Sequence, residues 1–238
     1  MILNFIKNNR HNLIQITIYN IILTISLYSL LYVLISPSLS AQLEISEIYW
    51  FNSIMIMVSM SITFILSSAI IHTEYRINKS IDFQKMISGS HKKIYLKNVT
   101  GITISIFFQI LISLIFLLIL VNPDLNYLVL PLYIIYLLLA VVFFINLGLI
   151  TGFFTRKTTI SIPGIVLMIL ILFLISGTIL PFYRYVIIKY IPTSIIIFGG
   201  LKLLEANFTS LLIPMAYLIG LNIFITVITN AILNKSDY

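Results

Sequence analysis

The residue types that carry chemistry are scarce in this chain, and those present are not grouped. Its three histidines, His11, His72 and His91, lie far apart, each near the end of an apolar run. No H-E-x-x-H pattern occurs, and no pair of carboxylates falls within an apolar run, so neither a metal-activated water nor an acid–base pair is expected. With 0 Cys there is no thiolate ligand, disulfide or cysteine nucleophile. A G-x-x-x-x-G-K-[ST] loop is also missing, so the chain has no means of cradling and hydrolysing ATP itself. The polar groups inside the apolar runs are Asn20, Gln109, Asn146 and Asn222 with scattered Ser and Thr, which knit helices together through hydrogen bonds. Gly148 and Gly152 form a G-x-x-x-G pair that permits close helix approach, within one chain or between two. We expect no enzyme activity and no cofactor bound by this chain.

The elements that hold these residues follow from composition. Of 238 residues, 60% are hydrophobic and 9% charged, against roughly 25% charged in soluble domains. Mean hydropathy is +1.12. Six apolar stretches are long enough to cross a bilayer, near 13–36, 48–71, 99–121, 129–152, 159–181 and 208–233, and none contains Lys, Arg, Asp or Glu. Their apolar residues do not alternate as in barrel strands, and an open sheet cannot satisfy its backbone in lipid. The expected fold class is therefore all-α, a polytopic bundle of six transmembrane helices in a single domain over 1–238.

The net charge of +7 would point to nucleic acid in a soluble protein, but here its distribution reads as topology, and no nucleic-acid partner is expected. Eleven of the 14 basic residues fall on one side: Lys7, Arg10, Arg76, Lys79, Lys85, Lys92, Lys93, Lys97, Arg156, Lys157 and Lys235. The other side holds Arg184, Lys189 and Lys202, with Glu44, Glu47 and Asp124 in its first two loops. Both termini are expected in the cytoplasm. The small residues Ser38 to Ala41 resemble a signal cleavage site, but the apolar run before them exceeds a 7–15-residue signal core, so it reads as an uncleaved first span.

Two segments are not spans. The inner loop 72–98 places Ile77, Ile81, Phe83, Met86 and Ile87 at helical spacing with a basic face, an amphipathic helix that either lies on anionic headgroups or docks a cytoplasmic partner. Ser88-Gly89-Ser90 reads as its break. The outer segment 182–207 has two apolar runs, Tyr185–Ile191 and Ser194–Leu204, each too short to span and broken by Pro192 and Gly199-Gly200. It reads as a re-entrant dip into the outer leaflet or as a helix lying flat at the interface.

This layout resembles the membrane (permease) subunit of ABC exporters of the ABC-2 type, in the compact six-span form. The resemblance is carried by the stretch from Glu74-Tyr-Arg76 to Lys97-Asn98, by Leu147-Gly-Leu-Ile-Thr-Gly152 followed by Arg156-Lys157, and by Phe173-Leu-Ile-Ser-Gly177-Thr-Ile-Leu-Pro181 followed by Ile191-Pro192. Where the family often has a Gly-Thr pair after its Glu-Arg start, this chain has Asn78-Lys79-Ser80. The resemblance implies a coupling helix using Glu74, Arg76, Ile81, Lys85, Met86 and Ile87, and a fifth span ending at Gly177 and Pro181 as helix-packing positions. It implies a second permease copy or related permease as dimer partner, and two copies of a separate cytoplasmic ABC ATPase that bind ATP and Mg. It also implies a bacterial cell membrane location among lipids, and a hydrophobic or amphipathic cargo, with an antimicrobial or cytolytic peptide preferred to a polysaccharide. The competing reading is a membrane scaffold or sensor that holds a signalling partner through residues 72–98. A membrane-embedded enzyme would need buried His, Asp or Glu in the spans, and an ion channel would need a charged ring.

Overall fold

The computed structural model describes residues 18, 21–35, 46–72, 91–154, 167, 169–175 and 191–235. These residues are almost entirely helical and include no strand. The elements are α1, running 21–27 and continuing as a π-helix over Tyr28–Ile35; α2, Glu47–His72; α3, His91–Val121; α4, Leu130–Phe154; α5, 169–175; α6, Pro192–Leu204; and α7, Phe208–Lys235.

Four helices, α2, α3, α4 and α7, are long and apolar enough to cross a membrane. They coincide with the second, third, fourth and sixth apolar stretches. The first and fifth stretches contain α1 and α5, and lie only partly within the described residues. At its start α2 is capped by Ser46, whose Oγ accepts from the Tyr49 N–H at 3.3 Å, and Glu47 in the first turn suits the positive end of the helix. The third helix begins at His91, eight residues before its apolar portion Val99–Val121. Those eight residues carry Lys92, Lys93 and Lys97 and extend the rod by about 12 Å. A short connection with one 3-10 turn, Tyr127–Val129, leads to α4, its Asn126 side chain accepting from the Leu128 N–H. Asn122, at φ 44°, stops α3 in the left-handed conformation that asparagine tolerates well.

The centre of the bundle is α2. Its apolar span is 83% buried, whereas that of α7 is 17% buried and lies at the periphery. The large exposed side chains of the outer helices, such as Ile115 and Ile119 on α3 and Leu212, Ile213, Ile223 and Phe224 on α7, are apolar, as a lipid-facing surface requires. Helices α2 and α4 run parallel and pack closely. Asn52 meets Tyr133 near the Glu47 end, and Gly148 and Gly152 meet Ser67 and Ser68 near the His72 end. A Cβ at Gly148 would overlap the Ser67 hydroxyl and sit 2.7 Å from the Phe64 carbonyl oxygen; one at Gly152 would sit 2.6 Å from the Ser68 carbonyl oxygen. The G-x-x-x-G pair therefore works within the chain, against α2. Helix α7 runs parallel to α4, held by Asn222 Nδ2 donating to the Leu139 carbonyl (3.0 Å) and Asn146 Nδ2 donating to Thr226 Oγ1 (3.4 Å).

Gly148→Ala is expected to destabilise the fold by about 1–3 kcal/mol, because backbone rather than a flexible side chain must yield. Gly220, in α7, has nothing within 4 Å of its missing Cβ, so Gly220→Ala should be neutral or stabilise by up to about 1 kcal/mol. Thermal unfolding of the two variants in detergent, compared with the parent, checks both signs.

Candidate functional site

Helix α6 is the element that a simple bundle does not need. At 13 residues it is about 20 Å long, short of the roughly 30 Å hydrocarbon core. Yet it is not a surface helix: nine of its residues are buried, and it packs against α2, α4 and α7. Pro192 starts it at the first helical position, where a missing N–H costs nothing. The helix then runs unbroken through Gly199-Gly200, which the sequence reading takes as a break.

The glycines serve a different purpose. Asn52 Nδ2 donates to the Ile197 carbonyl at 2.8 Å, and the Tyr133 hydroxyl donates to Asn52 Oδ1 at 3.0 Å. The Tyr136 hydroxyl is placed to donate to the carbonyls of Ile195 and Ile196, at 3.2 and 3.1 Å. Within a helix these three carbonyls already accept from residues four positions on, which are Gly199, Gly200 and Leu201. A side chain at i+4 leans back toward the N-terminus and over such a carbonyl. A Cβ on Gly199 would collide with the Tyr136 hydroxyl and approach Pro214 Cβ at 2.8 Å; one on Gly200 would collide with Asn52 Oδ1. The glycine pair thus uncovers helix carbonyls so that two long helices can hold α6 by its backbone. Each of Asn52, Tyr133 and Tyr136 is fully buried, so these bonds form where water does not compete.

The two ends of α6 differ. At its C-terminal end, the Glu205, Ala206 and Asn207 N–H groups donate to Leu201, Leu203 and Lys202 carbonyls at 2.9, 3.0 and 2.8 Å. Ala206 adopts φ 55°, and Asn207 Oδ1 accepts from Thr209 Oγ1 and the Ser210 N–H to start α7. Lys202 pairs with Glu205 at 2.7 Å and lies 5.5 Å from the Phe198 ring centre. At the other end the Thr193 hydroxyl donates to the Leu172 carbonyl of α5 at 3.4 Å, and Phe173 of α5 stacks on Phe144 of α4. No side chain caps the N-terminus of α6.

Several buried polar atoms have no hydrogen-bond partner among the described residues: Trp50 Nε1, the hydroxyls of Ser53, Ser59, Ser68 and Ser194, both amide atoms of Gln109, and Asn222 Oδ1. Asn146 and Asn222 do link helices as the sequence predicts, whereas Gln109 makes no such bond among the described residues. Of the residues singled out in the sequence, Gly148 and Gly152 are placed together against α2. Glu74, Arg76, Ile81, Lys85, Met86 and Ile87, with Gly177 and Pro181, lie outside the described residues, as does Asn20. The Asn52–Tyr133–Tyr136 clamp escaped the sequence reading. Its one local signal is Asn52 itself, a polar amide near the start of a long apolar run.

Removing the Tyr136 hydroxyl in Tyr136→Phe should cost about 0.5–1.5 kcal/mol, and Asn52→Leu more, about 1–3 kcal/mol, because it strands the buried Tyr133 hydroxyl. Amide hydrogen exchange over 195–201 reads this directly: faster exchange there in both variants, with α3 unchanged, is the expected result. The chain matches no protein-family model, no curated protein and no solved structure.

Proposed function

We propose that this protein is the permease subunit of an ABC-2 type exporter, moving a hydrophobic or amphipathic peptide out of the cytoplasm or inner leaflet of a bacterial cell membrane. The observation that carries the proposal is α6, a half-length helix enclosed by long apolar helices and held through its backbone carbonyls. Discontinuous helices of this kind are tolerated at membrane depth where protein covers them, and transporters use their ends to handle cargo. On this reading the segment 182–207 is the re-entrant element, the topology has six spans with both termini inside, and the permease works as a dimer.

The energy source is a partner. Residues 72–98 form the coupling element, with Ile81, Met86 and Ile87 filling an apolar groove on the ATPase while Lys79, Lys85 and Lys92 meet acidic residues or headgroups. Apolar anchors give most of such affinity, and charges set orientation. The continuity of α3 from His91 to Val121 supports this role, because a rigid rod attached to the end of the coupling element carries its displacement into the bundle. A pathway of Ile, Leu, Phe and Tyr with hydroxyl and amide groups suits an amphiphile better than a polysaccharide.

Met86→Asp is expected to leave the protein in the membrane but to lose retention of a co-expressed partner ABC ATPase, and with it cargo-stimulated ATP hydrolysis. Unchanged export by Met86→Asp would defeat the coupling assignment. Retention of a signalling kinase in place of an ATPase would favour the scaffold.

A further inference from the structure

We draw no further inference here: the strongest candidate, the exposed apolar face of α7 around Ala216 and Gly220, is a stripe of small residues, and nothing in the structure shows whether lipid or a second chain covers it.

Discussion

A polar backbone group in an apolar surrounding must find a partner, and the geometry of this bundle is arranged around that requirement at α6. The short helix brings two termini and a row of carbonyls into a setting built of Ile, Leu, Phe and Met. Asn52 of α2 and Tyr136 of α4 add a second hydrogen bond to three of these carbonyls, and the Tyr133 hydroxyl donates in turn to Asn52, all three side chains being fully buried. Their reach depends on glycines at 199 and 200, and their spacing depends on α2 and α4 running parallel in close contact. That contact in turn depends on Gly148 and Gly152 against Ser67 and Ser68. Small residues, tight helix approach and the clamp on α6 are thus one chain of dependence. Lipid offers no hydrophobic drive for helices to associate, so packing and buried hydrogen bonds of this kind must supply it.

The contrast between satisfied and unsatisfied groups is informative in the same terms. Asn52, Asn146 and the Nδ2 of Asn222 each bridge two helices. Thr63, Ser67 and Ser105 return their hydroxyls to carbonyls of their own helices, and so contribute small volume rather than cross-linking. Against that background, the hydroxyls of Ser53, Ser59, Ser68 and Ser194 are buried without a hydrogen-bond partner among the described residues.

Much of the architecture was legible in the chain because lipid imposes a simple rule: long uncharged runs become helices. The runs 48–71, 99–121, 129–152 and 208–233 differ from α2, α4 and α7 and from the apolar part of α3 by one or two residues at most ends. The extra turns of α3 were not legible, since His91 to Asn98 is polar and its helicity continues a rod anchored in the apolar part. Gly199-Gly200 was misread as a break because helix propensity is local, whereas the carbonyls it uncovers serve residues 59 to 145 positions away in sequence. Tyr133 and Tyr136 gave no signal for the same reason: among so many aromatic residues, only folding reveals which hydroxyls have a carbonyl to meet. The coupling element, Gly177 and Pro181 rest on sequence alone.

The turn between α6 and α7 has a mechanical meaning. Residues 205–207 tie one end of the short helix through three backbone bonds, a left-handed alanine and an ion pair. Over its other half the helix is held laterally, by the Tyr136 and Thr193 hydroxyls and the Asn52 amide. Sliding of α6 along its axis would therefore drag α7 with it through the Ala206 turn.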